Sequence, residues 1–397
     1  MEEEKHIETS EKETKSVKTD KYANRDFSID LLRIIACISV LANHLCLQPF
    51  NQYWSQVDWS RIFERCFLTD NVTIFFMITG FFLINGRSYL KIWKSTIFKI
   101  LIPTFVYVLL AQMFYMFIIN KQSFSWCMQN AVTNMNLLGI LRTIITGDLT
   151  HINDLCKHLW YIFSYVKIII WVPILWLMFK EEKLPILARR ILIIFTIASA
   201  IITDIQRFYV LPVGRIANFE LISRELVYVI IGYELFVHKD KIKNNKKVFI
   251  FGMIGVVLIN CLRYKLENKY MVLNNYYEIY GRENFIEWNY NSLVFFSSTL
   301  LFMAIYSLPI TKMWFKKALV WISDKTFGIY LVHYMLIAKV DLYKFDKLGK
   351  LYQELIYLFL SIIITFTVSA LIVWVIKIVK ELLKKGFRKV VPKEKNA

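Results

Sequence analysis

The sequence lacks the short motifs that mark most soluble catalytic and cofactor-binding proteins. It contains no Gly-x-Ser-x-Gly, no Walker-type phosphate loop, no zinc-ligand spacing and no haem or flavin signature. Its six cysteines include no Cys-x-x-Cys pair, so neither a metal cluster nor a dithiol redox site is indicated. A serine nucleophile therefore has no support, and we predict no metal and no permanently bound cofactor.

Charged residues are also scarce, at 20% of 397 residues, whereas 56% are hydrophobic and 16% aromatic. The mean hydropathy is +0.44, and a soluble enzyme of this length is rarely so apolar. The apolar residues come in long runs, which predicts a polytopic helical membrane protein. The net charge of +18 is dispersed among short loops, so we expect contact with membrane lipid and no nucleic-acid partner.

The chain divides into three segments by composition. Residues 1–26 are polar and of mixed charge and are predicted to form a disordered cytoplasmic tail. Residues 27–376 form the predicted membrane domain, and the basic tail 377–397 is expected to lie against anionic lipid. The first apolar run starts too late and is too long for a cleaved secretory signal, so we interpret it as a signal anchor.

We predict an all-α fold, a transmembrane bundle of about ten helices. The predicted spans are 27–47, 68–85, 97–119, 158–179, 187–203, 219–237, 247–262, 289–309, 321–341 and 351–376. An even number of spans puts both termini on one side. Lysine and arginine are about twice as numerous in the tails and loops of that side as in the loops of the other, which predicts cytoplasmic termini in a multi-pass plasma-membrane protein.

Two of the predicted outer loops, 120–157 and 263–288, are long. The second is rich in Tyr and Asn, which suits either interfacial anchoring or contact with a sugar. Cys66, Cys127 and Cys156 fall in outer loops, so their disulfide state is left open.

The first predicted span contains the stretch "DLLRIIACISVLANH", residues 30–44. A charged side chain at the centre of a membrane helix costs roughly 2.5–3.5 kcal/mol. Arg33 and His44 are close to three full turns apart and so share one helix stripe, ~16 Å apart along the axis. Asp30 precedes Arg33 by three residues and can pair with it. The stripe is therefore predicted to face the bundle interior or a water-filled cavity, unless it is only a helix-end ion pair and an interfacial histidine.

Four segments in order resemble the membrane acyltransferase-3 family. The acidic residue, arginine and histidine of its first helix match Asp30, Arg33 and His44. The other matching segments are "FFMITGFFL" (75–83), "HLWYIFSY" (158–165) and "ISDKTFGIYLVH" (322–333). Thr79 stands where the family usually has serine. Some branches carry a basic residue earlier in the second segment, where this chain has Asp70 and Asn71.

The resemblance implies an integral-membrane O-acyltransferase. Such proteins take an acyl group, usually acetyl, from cytoplasmic acyl-CoA as co-substrate and transfer it to an extracytoplasmic hydroxyl. The implied acceptor is a polysaccharide, cell-wall or lipid-linked sugar, and polysaccharide-assembly proteins are the implied protein partners. Acyl transfer needs a base, for which His44 is the best candidate. Arg33 suits CoA phosphate or the pantetheine arm, and Asp30 would orient Arg33.

Further candidates for binding acyl-CoA or acceptor come from the same segments and from charges within spans. Thr79 beside Gly80 suits either a hydrogen bond to the thioester or close helix packing. The remaining candidates are His158, Trp160, Lys167, Arg224 and His333.

Two other classes of protein fit the same features. A transporter or polysaccharide exporter would use the ionisable stripe as a substrate or proton path, although we find no internal repeat. A receptor or scaffold would use it as a structural ion pair and would tolerate alanine at Arg33 and His44.

Overall fold

The computed structural model describes residues 25–45, 63, 66–68, 72–83, 88–114, 116–117, 121–123, 125–126, 158–209, 223–273, 292–337 and 351–390. Within these ranges all regular secondary structure is helical. The helices are α1 (Phe27–Leu45), α2 (Val72–Phe82), α3 (Tyr89–Thr96), α4 (Ile102–Phe114), α5 (Trp160–Met178), α6 (Lys183–Tyr209), α7 (Arg224–Val237), α8 (Lys239–Ile242), α9 (Lys246–Leu273), α10 (Ser292–Tyr306), α11 (Met313–Ser323), α12 (Thr326–Ile337) and α13 (Leu351–Val390).

The predicted all-helical fold is confirmed, and every predicted span overlaps a helix. Five helical segments are long and apolar enough to cross a membrane: Phe27–Leu45, Trp160–Met178, Lys183–Ile202, Lys246–Leu266 and Leu355–Ile378. The count of ten spans and the cytoplasmic termini stay predictions. Two helices extend beyond the predicted spans, since α9 runs to Leu273 and α13 to Val390.

Helix α1 is the central helix of the bundle. It packs against α2, α10, α11, α12 and α13. Of its most apolar window 67% is buried, whereas the other four long apolar helices have 17–39% buried. Of its ionisable residues Asp30 is buried and Arg33 and His44 are half-buried, which agrees with the predicted placement towards the bundle interior or a cavity.

Helices α2 and α7 cross at two glycines. A Cβ atom on Gly80 would lie 1.9 Å from the Val229 carbonyl oxygen, and one on Gly232 would lie 2.0 Å from the Met77 carbonyl oxygen. The two backbones are thus in direct contact, which only small residues permit. This contact fixes α2, and with it Thr79, against the core.

Helices α3 and α4 are joined without a break by a π-helical turn, Ile97–Leu101. Pro103 has no backbone N–H and its ring crowds the carbonyl four residues earlier, that of Lys99. The turn widens there, and the N–H of Ile102 bonds the carbonyl of Ile97, five residues back. The side chain of Lys99 lies at the middle of this turn.

A buried arginine ties α6 to the end of α5. The Arg189 side chain is 1% exposed and donates to Glu234 on α7 at 2.6 Å and to the Met178 carbonyl at 2.6 Å. It also donates to the Lys180 carbonyl and to Glu181. The guanidinium thus satisfies carbonyls that the end of α5 leaves without helical partners.

Candidate active site

A buried carboxylate organises the start of α1. Asp30 is 1% exposed and accepts hydrogen bonds from Arg25 at 2.6 and 3.0 Å and from Ser323 at 2.7 Å. Arg33 lies farther from it, at 3.4 Å. The predicted Asp30–Arg33 pair is confirmed, but Arg25 holds the carboxylate more closely. The bond to Asp30 raises the pKa of the Arg25 guanidinium, with a second contribution from Asp324.

Arg33 extends from this network into a cavity of about 400 Å³. Its side chain is 34% exposed, and the Phe82 ring lies 5.5 Å away. The wall is mostly aromatic and aliphatic, with hydroxyls from Thr79, Ser95 and Thr96. Cationic side chains in a mostly apolar space suit a ligand with a long arm and an anionic end.

Two tyrosines contribute to the wall of the cavity. Tyr161 and Tyr330 both line it, with ring centroids 6.0 Å apart. The Tyr330 hydroxyl donates to the His158 carbonyl at 2.5 Å. Tyr330 thus separates the cavity from the histidines beyond it.

Three histidines from separate segments meet beyond Tyr330. The ring of His44 lies 5.3 Å from that of His333 and 6.2 Å from that of His158, and His158 lies 5.1 Å from His333. Tyr334 packs against this histidine cluster, stacked on His158 at 4.9 Å. Two histidines that the sequence ranked below His44 are therefore its direct neighbours.

The tautomer of His333 is fixed by the backbone of its own helix. Nδ1 lies 2.7 Å from the Tyr330 carbonyl oxygen, which can only accept, so Nδ1 carries the proton. In the neutral ring Nε2 is then the acceptor, and it has no hydrogen-bond partner among the residues described. The cluster thus contains a buried imidazole whose lone pair can accept a proton.

Comparison with known protein families shows which family the chain belongs to. A family model described as an acyltransferase domain matches residues 26–374. The chain belongs to the acyltransferase-3 family. The searches of curated proteins and of solved structures found no match. The match spans both the cavity and the histidine cluster, so this membrane acyltransferase contains both within its family domain.

Of the remaining predicted residues of the acyltransferase, some line the cavity and others pack elsewhere in the bundle. Thr79 lines the cavity and donates to the Phe75 carbonyl at 2.9 Å. Gly80 lies at the α2–α7 crossing, outside the cavity wall, and there it allows close packing of the two helices. Trp160 packs on the main core, with its ring 6.4 Å from that of Phe76.

The two cationic candidates within spans lie away from the site. Lys167 is half-buried on α5, and Arg224 is buried at the start of α7. Neither lines the cavity. Cys127, Cys156 and residues 274–288 of the second long loop lie outside the described residues, so the disulfide and sugar-contact hypotheses stay open.

Sequence reasoning missed four residues of the acyltransferase site. Arg25 lies within the segment assigned to the tail, and Ser323 approaches Asp30 only in the folded bundle. Tyr330 precedes His333 by three residues in a segment already singled out, which was a usable signal. Lys99 precedes Pro103 by four residues, and that spacing could have indicated the altered turn.

Proposed function

We propose that this acyltransferase moves an acyl group, most simply acetyl, from cytoplasmic acyl-CoA to a hydroxyl of an extracytoplasmic polysaccharide, cell-wall or lipid-linked sugar. The observation that carries the proposal is that one residue, Tyr330, joins the cavity to the histidine cluster. Arg33 and Tyr330 both line the cavity, and the Tyr330 ring also lies 5.5 Å from that of His158 and 5.9 Å from that of His333.

The cavity suits the donor in shape and in charge. A pantetheine arm is long, thin and mostly apolar, and the phosphates at its far end suit a guanidinium. With Arg33 holding the phosphate end, the thioester would extend towards Tyr161 and Tyr330. This supports a donor that enters at the end of the bundle where α1 begins.

The histidine cluster suits the chemistry of ester formation. The acceptor hydroxyl attacks the thioester carbonyl while an imidazole takes its proton, with His44 as the base in our proposal. The C–O bond forms, the C–S bond breaks, and the proton passes to the departing thiolate, which leaves as the free thiol. The products are an ester on the acceptor and CoA, and no oxidant or metal is needed.

The test uses purified protein in sealed proteoliposomes with labelled acetyl-CoA offered on one side. On the other side of the vesicle membrane is a glycan fraction prepared from the membrane of the organism that makes the protein. Covalent label in the glycan is the expected result, and Arg33→Ala should abolish it. Movement of glycan without label would indicate a transporter, and label confined to the acetyl-CoA side would contradict transfer across the membrane.

A further inference from the structure

Lys99 is a second cation in the cavity of Arg33. It lies at the exposed mouth, beside the Ser95 and Thr96 hydroxyls. No ion pair or hydrogen bond of its side chain occurs within the part of the chain that the structure describes. Arg33, in contrast, already has Asp30 at 3.4 Å. The mouth of the cavity therefore carries positive charge that the described protein groups leave uncompensated.

The backbone at Lys99 is built in an unusual way. The π-helical turn Ile97–Leu101 interrupts an otherwise regular helix, and Pro103 accounts for its position. Such turns occur frequently at functional sites, because they alter the direction in which one side chain projects. Ile92, Ser95 and Thr96 precede the turn at the spacing of one α-helical face, and Lys99 within the turn lines the same cavity.

We propose that Lys99 and Arg33 together bind the phosphate groups of the acyl donor, so that the site selects phosphate-bearing acyl thioesters. This inference rests on the proposed function, since it assumes a thioester donor. Arginine binds phosphate through its planar fork and lysine as a point charge. Lys99 at the mouth would hold the outer phosphates, while Arg33 lies deeper along the arm.

The inference predicts a loss that depends on the donor. A hydrogen bond to a charged group contributes enough for a change of about 10- to 100-fold in affinity. Lys99→Ala should raise the KM for acetyl-CoA by that factor and leave kcat nearly unchanged. The same substitution should leave transfer from S-acetylpantetheine, which has no phosphate, unchanged.

The experiment measures both donors in proteoliposomes for Lys99→Ala, Lys99→Arg and Lys94→Ala. Lys94 is the matched control, because it is exposed on the same continuous helix but does not line the cavity. Lys94→Ala should behave as wild type, and Lys99→Arg should recover part of the affinity. Equal losses for the two donors, or no loss for acetyl-CoA, would overturn the inference.

Two further measurements separate donor binding from turnover and from binding of lipid phosphate. Calorimetric titration with CoA alone reports binding without turnover. If Lys99→Ala binds CoA about 10- to 100-fold more weakly than wild type, the phosphate role stands even where no acyl transfer is detected. Repeating the titration in vesicles of neutral lipid and of anionic lipid tests a lipid headgroup as the phosphate source. A loss confined to anionic vesicles would assign Lys99 to lipid and overturn donor binding.

Discussion

The imidazole rings of His44 and His333 lie 5.3 Å apart, on the central helix α1 and on α12. His158 completes the cluster within 6.2 Å of both. Rings this close contact one another, so a substitution at one histidine changes the surroundings of the other two. Any test of His44 as the base must therefore include its two neighbours.

Replacing His44 by alanine should lower turnover by about 10²–10⁴-fold, the usual contribution of a positioned base. Acyl-CoA affinity should change little, because the cavity and Arg33 are left intact. Steady-state kinetics together with CoA titration measure the two effects separately. His238→Ala is the matched control, since His238 is exposed at the end of α7, and it should retain full activity. Loss of CoA affinity in His44→Ala to the same extent as turnover would show a structural role only.

Replacing Asp30 by asparagine should weaken both the fold and donor binding. The buried carboxylate accepts from Arg25, Ser323 and Arg33, and an amide removes the charge that these donors share. We expect a loss of about 1–3 kcal/mol in the free energy of unfolding and a higher KM for acyl-CoA, because Arg33 loses its orienting partner. Thermal unfolding in detergent and kinetics measure these effects.

The control for Asp30 is Asp324→Asn. Asp324 contacts the same Arg25 guanidinium at 2.7 Å, but its side chain is 38% exposed. Exposed pairs contribute at most about 1 kcal/mol, so its loss should be clearly smaller. Equal losses from the two substitutions would contradict the role of Asp30 as the organising carboxylate.

How much of this site the sequence predicts depends on how local each contact is. The Asp30–Arg33 pair and the stripe up to His44 follow from helical periodicity alone, and both were predicted. The bond from Ser323 to Asp30 was not, because helix pairing in a bundle is set by the packing of whole faces. His44, His158 and His333 were predicted as separate candidates, and only the fold shows them in contact.

The packing of Gly80 illustrates the same limit. The sequence left two roles for the Thr79–Gly80 pair, because the residue opposite a small side chain cannot be read from its own helix. The reciprocal contact of Gly80 with Val229 and of Gly232 with Met77 appears only once α2 and α7 are paired. The close packing of α2 and α7 then follows from these two contacts.

Replacing Gly80 or Gly232 by alanine should destabilise the acyltransferase. The new Cβ would lie 1.9 or 2.0 Å from a backbone carbonyl oxygen, so α2 and α7 would have to separate. Gly255→Ala is the control, because its Cβ would meet only the Leu300 side chain, at 2.8 Å, which can rotate. Alanine is the better helix former by about 1 kcal/mol, so this control should be neutral or stabilising. Thermal unfolding midpoints that fall equally at all three sites would contradict the tight crossing.

The pH dependence of turnover should identify the base within the histidine cluster. An imidazole accepts a proton only in its neutral form, so the rate at saturating acyl-CoA should fall as pH drops through the imidazole range. Within the part of the chain that the structure describes, the rings of His158, His333 and Tyr334 pack around His44, and Tyr107 contacts His158 from behind. Glutamine at His158 or His333 removes a titrating neighbour but keeps a polar side chain.

If His44 is the base, His158→Gln and His333→Gln should both retain the acidic fall in rate. If turnover persists in His333→Gln but the acidic fall disappears, the proton acceptor is Nε2 of His333, whose tautomer the Tyr330 carbonyl already fixes, and His44 instead positions the acceptor hydroxyl.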